Sequence, residues 1–134
     1  MLEKNQLRKK IQQQRKLLSK TEVLENSKKI AETLLNLSVI QNCQSIAIYL
    51  ANNNEVETIF LIEQLYALGK KCYLPVLDKH QPNHLLFVQY KPGDPLQLNQ
   101  YKIFEPILSD KKQQIPNQLD VILMPLVAFD KQGN

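Results

Sequence analysis

Two acidic side chains occupy positions where a protein of alternating strands and helices places its chemistry. Glu55 follows a short apolar run typical of a buried strand, and Asp130 follows a second such run. Ligands of open α/β sheets bind outside the carboxyl ends of the parallel strands. A carboxylate there can accept hydrogen bonds from an amino-heterocycle, support a metal ion or act as a base. Because Glu55 and Glu57 also precede a predicted helix, whose dipole favours acidic residues, a purely structural role for Glu55 stays open.

A pair of cations near the N-terminus is the second candidate. Lys4 and Arg8 lie one helical turn apart, and two cations at that spacing can grip a polyphosphate. They belong to residues 1–29, which carry nine lysines and arginines against three acidic residues. This basic region suits an anionic partner such as a nucleotide, a nucleic acid or a membrane surface. The alternative is an ordinary solvated helix face.

Other common site chemistries have no motif in this sequence. His80 and His84 are separated by Pro82, so they do not share a helix face, and we predict no zinc site and no metal-ligand set. No G-x-S-x-G or Walker A motif occurs, and there are only 3 glycines. Cys43 and Cys72 form no C-x-x-C motif and are expected to be reduced, buried thiols.

The length and composition limit the overall class. The 134 residues are 43% hydrophobic and 22% charged, which suits one globular domain spanning residues 1–134. No apolar run reaches the roughly 18 residues of a membrane span. The charged N-terminus does not resemble a secretory signal, so a cytoplasmic location is expected.

Hydrophobic periodicity predicts two N-terminal helices. The first covers residues 2–18 and carries the Lys4 and Arg8 pair. The second begins at Ser19–Glu22, which fits a capping box, and continues to about Leu37.

Next in the sequence, the pattern changes to alternating strands and helices. A strand over 45–50, a helix over 58–68 and a strand over 71–74 form a right-handed unit with parallel strands, and Pro75 is predicted to end the second strand. This unit predicts an α/β fold with a mainly parallel, Rossmann-like sheet in a three-layer domain.

The C-terminal half adds further strands. Strands are predicted over 85–90 and 119–124, the latter stopped by Pro125, and the proline-rich residues 91–118 are expected to be extended and irregular. The chain then ends on a turn after a strand, so we expect a domain that lacks its last strand–helix units.

Taken in order, the motifs of this sequence resemble those of the 5-formyltetrahydrofolate cyclo-ligase (5,10-methenyltetrahydrofolate synthetase) family. The resemblance covers the whole chain and rests on the following segments: Lys4–Arg8 (K-x-x-L-R), Ile46–Leu50, Glu55–Thr58 (E-[VI]-x-T), Gly69–Pro75 (G-K-x-x-x-x-P), Ile103–Pro106 (I-x-E-P) and Leu119–Asn134 (L-D-x-[IV]-[IL]-x-P-x-[VL]-[AG]-F-D-x-x-G-x).

The resemblance implies an ATP- and Mg²⁺-dependent conversion of 5-formyltetrahydrofolate into 5,10-methenyltetrahydrofolate, with release of ADP and phosphate. By the same resemblance, Lys4 and Arg8 bind the ATP phosphates. Leu50 contacts the folate through its apolar side chain, and Glu55 accepts hydrogen bonds from the pterin. Four further residues are expected to shape the site without acting in it: Pro75, Glu105, Pro125 and Asp130.

The sequence departs from the family pattern in two places. Lys102 stands where the family usually has a glycine before the I-x-E-P isoleucine, which puts a tight turn in doubt. Family members also continue beyond Gly133-Asn134 with a basic, glycine-rich segment that binds phosphates and folate and supplies a magnesium-binding aspartate. We therefore expect residues 1–134 to be the N-terminal two thirds of the family domain, and to be inactive or impaired alone.

Two alternatives come from other functional classes. The basic helices could bind nucleic acid, although aromatic residues are only 7% of the chain and none lies among the N-terminal cations. The chain could also be a non-catalytic relative that binds folate or nucleotide without turnover.

Overall fold

The computed structural model describes residues 3–107, 113–114 and 116–134. The helices within this part of the chain are α1 (Lys4–Lys16), α2 (Lys20–Leu35), α3 (Ser38–Asn42) and α4 (Ile59–Ala67), with a 3-10 turn at Pro116–Gln118. The strands are β1 (Ser45–Ala47), β2 (Lys71–Leu77), β3 (Leu85–Tyr90), β4 (Leu96–Leu98), β5 (Phe104–Pro106), β6 (Gln113–Gln114) and β7 (Val121–Ile122). The helices α1 and α2 confirm the two predicted N-terminal helices, whereas the short α3 was not expected.

Five strands form one mixed sheet in the order β6-β3-β2-β1-β7, and β4 pairs with β5 in a separate hairpin. The strand β1 lies parallel to both β2 and β7, with Ile46 opposite Cys72 and Val121. The strand β3 is antiparallel to β2 and to β6. Four strands of this sheet therefore run in one direction and only β3 opposes them, which confirms the predicted α/β fold with a mostly parallel sheet.

The core lies on both faces of this sheet because successive side chains of a strand point to opposite faces. Ile46 and Ile48 pack with residues of α2, α3 and α4 in the main core cluster. Ala47 and Tyr73 face the other way, where they form a smaller cluster with Phe87. The helices α2 to α4 thus cover one face, and the carboxyl ends of β1, β2 and β7 meet at one edge.

The capping box predicted at the start of α2 is present. The Ser19 hydroxyl accepts a hydrogen bond from the Glu22 amide at 3.2 Å, and the Glu22 carboxylate accepts one from the Ser19 amide at 2.8 Å. The charge on Glu22 is favoured by these bonds, which lower its pKa. The helix ends at Leu35, two residues earlier than expected, and α3 begins at Ser38 after a short bend.

The prediction that Pro75 ends β2 is wrong. The strand continues to Leu77, and Pro75 pairs with Phe87 of β3. The backbone groups of successive residues point to opposite sides of a strand, so those of Tyr73 and Pro75 point to the same side. The Tyr73 carbonyl bonds the Ile48 amide on the β1 side. Pro75 turns its nitrogen to that same side, where β1 pairs no further than Tyr73, so its missing N–H breaks no ladder bond.

The first and last parallel strands are shorter than the apolar runs 45–50 and 119–124 that predicted them. Asp120 helps to fix their register, because its carboxylate accepts the amides of Gln44 and Ser45 at 2.8 and 2.9 Å. These backbone bonds hold the pKa of the Asp120 carboxyl below its ordinary value. A carboxylate at this position therefore ties β7 to the start of β1.

The proline-rich segment is more ordered than expected, because it contains the β4–β5 hairpin. Lys102 has φ 58° in the turn of this hairpin, a left-handed conformation that favours glycine. The Lys102 amide still donates to the Asn99 carbonyl at 2.9 Å, so the tight turn is kept without the family's glycine. The part of the predicted irregular segment at 108–112 and 115 lies outside the described residues.

Both cysteines are free and buried, as predicted. Burial raises the pKa of the Cys72 thiol to about 11, so it stays protonated at neutral pH. No helix in the described part of the chain is long and apolar enough to cross a membrane.

Candidate active site

The loop after β1 carries Glu55 to the edge of the sheet where the parallel strands end. The Glu55 amide donates to the Asn52 carbonyl at 3.1 Å, and its carboxylate accepts the Asn52 amide at 3.0 Å. The following residues bring the chain back to the sheet, because the Thr58 hydroxyl donates to the Tyr49 carbonyl at 2.6 Å. Glu55 is therefore held at the tip of a closed turn beside the end of β1.

Glu57 is the acid that bonds the start of α4, as the structural alternative expects of an acid before a helix. One oxygen of Glu57 accepts the amides of Thr58 and Ile59 at 2.9 and 3.2 Å, which gives a partner to two backbone donors at the start of α4. The Glu57 amide donates to the buried Ser27 hydroxyl at 2.8 Å, which anchors the loop on α2. Glu55 does not bond these amides, and only one of its oxygens bonds the Asn52 amide.

A cavity of about 540 Å³ opens beside Glu55. One wall comes from α2 and the loop after β1, and the opposite wall comes from the segment after β7. The lining includes Ile30, Leu34, Tyr49, Glu55, Thr58 and the run Leu123–Phe129. Most of this lining is apolar, and Tyr49 and the acidic residues Glu55 and Glu57 also belong to it. That combination suits a flat heterocycle with polar edges.

Tyr49 is a neutral hydrogen-bond donor within this cavity. Its hydroxyl donates to the Val56 carbonyl at 3.2 Å. Burial raises the pKa of Tyr49, the negative charges of Glu55 and Glu57 raise it further, and Arg15 opposes the rise. The Nε of Arg15 is itself buried without a hydrogen-bond partner among the described residues.

A second cavity of about 740 Å³ adjoins the first. Lys4 and Arg8 line it from α1, and Asp130 lines it from the turn after β7. Its wall includes Ile11 and the run Pro125–Phe129, which also line the first cavity. The structure thus brings the predicted cation pair next to the cavity that holds Glu55.

Asp130 lines the second cavity, and its expected role in shaping the site stays a prediction. Its carboxylate accepts the amides of Gln132 and Asn134, each at 2.9 Å, and the Asn134 side-chain amide at 3.0 Å. These bonds, led by the Asn134 amide, lower the pKa of Asp130 and keep it ionised. The Asp130 carboxylate thus closes the turn at 130–134, which follows the Pro125–Phe129 wall.

The other predicted site residues lie outside the first cavity, except Pro125, which lines both cavities. Leu50 is half-buried and packs against the main core cluster, and it is not among the residues lining the first cavity. Glu105 is 95% buried, and its carboxylate accepts the Asn99 side-chain amide at 3.3 Å. Pro75 is half-buried within β2. The apolar contact predicted for Leu50 stays a prediction.

The sequence did not single out two residues of this region, Tyr49 and Asn54. Tyr49 was hidden inside an apolar run, because its ring suits a buried strand as well as a ligand site. Asn54 belongs to a run of three asparagines at 52–54, which predicted only a loop. The residue type was nevertheless informative, because asparagine tolerates the left-handed backbone that Asn53 and Asn54 adopt.

The second cavity fits a nucleotide triphosphate better than it fits a metal centre. Its two cations are the side chains that bind phosphate oxygens. Among the described residues, no group of three or more His, Cys, Asp or Glu could hold a metal ion. Magnesium usually binds through one or two carboxylates together with substrate phosphates, so a bound nucleotide would supply most of its ligands.

Comparison with known proteins identifies the family. The model of the 5-formyltetrahydrofolate cyclo-ligase family matches residues 1–134. A relative of that name from Haemophilus influenzae is 35% identical over 131 residues, covering 98% of this chain and 70% of its own length. The relative of the same name from Escherichia coli K12 is 37% identical over 124 residues, covering 92% of this chain and 68% of its own length.

Solved structures show the same fold. The NMR structure of Aquifex aeolicus 5,10-methenyltetrahydrofolate synthetase matches with a TM-score of 0.79 at 27% identity, covering 94% of this chain and 62% of that one. The Mycoplasma pneumoniae 5,10-methenyltetrahydrofolate synthetase matches with a TM-score of 0.70 at 27% identity, covering 97% of this chain and 68% of that one.

This chain spans 62 to 70% of the length of these four proteins. The relatives are named as enzymes, and the family inferred from the ordered motifs is confirmed. The chain belongs to the 5-formyltetrahydrofolate cyclo-ligase family.

Proposed function

We propose that the protein converts 5-formyltetrahydrofolate into 5,10-methenyltetrahydrofolate in an ATP- and Mg²⁺-dependent reaction. The formyl oxygen attacks the γ-phosphorus of ATP, and ADP leaves. N10 then adds to the activated carbon and loses its proton, and the carbon–oxygen bond breaks to release phosphate. The phosphorylation is needed because the oxygen of a formamide is a poor leaving group. We further propose that this reaction takes place in the cytoplasm.

The observation that carries this proposal is the wall shared by the two cavities. Phosphoryl transfer needs the nucleophile and the phosphorus held about 3 to 3.5 Å apart in the reactive complex. Ile11 and Pro125–Phe129 border both the cavity of Glu55 and the cavity of Lys4 and Arg8. A folate in the first cavity and a triphosphate in the second would therefore meet at that wall.

The chain's own residues act mainly by binding and orienting. Glu55 has a carboxylate oxygen that does not bond Asn52, and this oxygen can accept the amino and ring N–H groups of a pterin. The apolar run after β7 lines the cavity and offers apolar contacts to a bound ring. The Tyr49 hydroxyl holds the Val56 carbonyl, which keeps the Glu55 turn beside the cavity.

Lys4 and Arg8 would bind the triphosphate and neutralise charge on the transferred group. Arg8 can form two parallel hydrogen bonds to phosphate oxygens, while Lys4 acts as a point charge. Magnesium, when bound, would supply further neutralisation of the phosphate oxygens.

The direct test is turnover, followed by absorbance of the methenyl product and by release of ADP and phosphate. Two proteins are compared: the 134-residue chain, and the same chain extended by the C-terminal segment of the Haemophilus influenzae relative, of which it spans 70%. We expect both to bind 5-formyltetrahydrofolate and ATP, and we expect the extended chain to form product. If the extended chain binds both ligands without forming product, the protein is a non-catalytic relative and the proposal fails.

A further inference from the structure

Helix α1, which carries Lys4 and Arg8, has few attachments of its own to the rest of the protein. None of its 13 residues is buried. Ile11, Gln12 and Arg15 are half-buried, and Leu7, on the apolar stripe, remains 45% exposed. Burial of apolar area therefore contributes little to the orientation of this helix. Something else must hold it against the site.

The Asn54 side chain makes the specific contact at the end of this helix. Its Nδ2 donates to the carbonyls of Arg15 and Leu18, both at 3.2 Å. The Arg15 carbonyl already accepts the Leu18 amide at 3.2 Å, so the Asn54 amide adds to the last turn of α1 a bond from another part of the fold. Asn54 thus attaches the carboxyl end of α1 to the loop after β1.

The residue type and backbone of Asn54 suit this contact. Asn54 has φ 56°, a left-handed conformation that asparagine tolerates better than most side chains. Its amide carries two donor hydrogens, which matches two carbonyl acceptors. The next residue in the chain is Glu55, so the residue that bonds the end of α1 directly precedes the acid of the first cavity.

We propose that Asn54 is a positioning residue that couples nucleotide binding at Lys4 and Arg8 to folate binding at Glu55. This inference rests on the proposed function for the assignment of the two ligands. The 13 residues of α1 form a rod about 20 Å long, so an adjustment at its anchored end moves the cations at the other end. A folate that fixes the Glu55 turn also fixes α1, and the nucleotide then binds an already ordered helix.

The coupling is reciprocal, because a ligand that favours one arrangement of a shared element must raise the affinity of the other ligand by the same factor. Removal of the Asn54 amide should separate the two sites while leaving each set of ligand-binding side chains intact. The expected signature is a loss of synergy between the ligands, and a general loss of stability would not produce it.

The test measures the Kd of 5-formyltetrahydrofolate with and without a saturating non-hydrolysable ATP analogue. In the unmodified protein we expect the analogue to lower this Kd by about fivefold or more, within the usual range of coupling between sites. In Asn54→Asp, which accepts the same backbone but cannot donate, we expect the ratio to approach one. The inference is overturned if Asn54→Asp keeps the ratio of the unmodified protein.

Asn53→Asp is the matched control. Asn53 is adjacent, has a similar φ of 52° and undergoes the same change of charge, but it does not bond α1 through its side chain. We expect Asn53→Asp to keep the coupling. If it loses the coupling equally, the effect comes from loop charge and the inference is wrong. Asn54→Gly, which keeps the left-handed backbone at no steric cost, replaces Asn54→Asp if that variant does not fold.

A ligand-independent measurement separates this inference from the proposed function. Hydrogen exchange of the amides of α1 is compared between the unmodified protein and Asn54→Gly without ligands. We expect faster exchange over Lys4–Leu18 in the variant, because α1 loses its anchor. Unchanged exchange overturns the anchoring role of Asn54 even if both ligands bind, and failure of both ligands to bind overturns only the proposed function.

Discussion

At the scale of single residues, two glutamates two positions apart have different roles. Glu57 bonds two backbone amides at the start of α4, whereas Glu55 closes the turn at 52–55 through one of its oxygens. Both are acidic residues before a helix, so the pattern alone does not separate them. Their hydrogen bonds separate them, although both side chains line the first cavity.

The substitution Glu55→Gln tests the folate-binding role. The amide oxygen of glutamine can still accept the Asn52 amide, so we expect the fold and the melting temperature to stay close to those of the unmodified protein. Loss of the charge weakens the hydrogen bonds to the pterin, and we expect the Kd of 5-formyltetrahydrofolate to rise about tenfold or more. Isothermal titration calorimetry measures this change.

Glu63→Gln is the control for that substitution, because Glu63 is an exposed acid on α4 and undergoes the same loss of charge. We expect its folate affinity to be unchanged. If Glu55→Gln binds folate as tightly as Glu63→Gln does, Glu55 does not bind folate and only closes the turn.

The residues of the candidate site were accessible from the sequence to different degrees. The placement of acids after predicted parallel strands led to Glu55 and Asp130, and the helical spacing led to Lys4 and Arg8. The roles proposed for them in binding folate and nucleotide came only from the resemblance to a family. The contact of Asn54 could not be predicted from the sequence, because its partners are backbone carbonyls 36 and 39 positions away. Every residue has a backbone carbonyl, so residue types do not indicate which one is bonded.

At the scale of elements, the helix ends were easier to predict than the strand ends. The capping box at Ser19 and the glycine after α4 are local signals, and both mark the observed ends within one or two residues. The length of β2 was misjudged at Pro75, because the cost of a proline depends on whether a neighbouring strand needs its N–H. That neighbour is a property of the assembled sheet.

The turn of the β4–β5 hairpin yields a stability prediction. Lys102 adopts φ 58°, and a side chain in this conformation costs about 1 to 2 kcal/mol. Lys102→Gly removes that cost, but it also increases the entropy of the unfolded chain, which opposes the gain. We therefore expect the free energy of unfolding to rise by less than about 1 kcal/mol and the Tm to rise by a few degrees. Calorimetry or circular dichroism measures the Tm.

Lys91→Gly is the comparison for that change, because Lys91 is exposed and does not have a positive φ. The same substitution there increases only the entropy of the unfolded chain, so the Tm should fall. If Lys102→Gly lowers the Tm as much as Lys91→Gly does, the left-handed turn is not a source of strain.

The N-terminal helix yields a binding prediction. Lys4→Ala combined with Arg8→Ala removes both cations of the second cavity, and we expect the Kd for an ATP analogue to rise about tenfold or more. Folate affinity without nucleotide should be unchanged, because neither side chain lines the first cavity. Equilibrium binding at fixed ionic strength measures both constants.

Lys9→Ala combined with Lys10→Ala makes a matched control, because it removes the same charge from the same helix and neither lysine lines the second cavity. We expect this control to bind the analogue normally. An equal loss in both double variants would reduce the effect to the general positive charge of residues 1–29.

At the scale of the whole molecule, the site is a product of topology. Strands β1 and β7 are 74 positions or more apart in sequence but parallel neighbours in the sheet, and their carboxyl ends bring Glu55 and the segment 123–130 together. The α/β class and the strand edge were predictable from alternating elements. The position of α1 at that edge was not predictable, because none of its residues is buried and its hydrophobic pattern therefore does not indicate where it packs.

The central claim is that the two adjoining cavities hold folate and nucleotide face to face. A crystal structure with 5-formyltetrahydrofolate and a non-hydrolysable ATP analogue tests it most directly. We predict the pterin at Glu55, the triphosphate at Lys4 and Arg8, and the formyl oxygen within about 3.5 Å of the γ-phosphorus. A folate bound away from Glu55, or a triphosphate bound away from α1, would contradict the account.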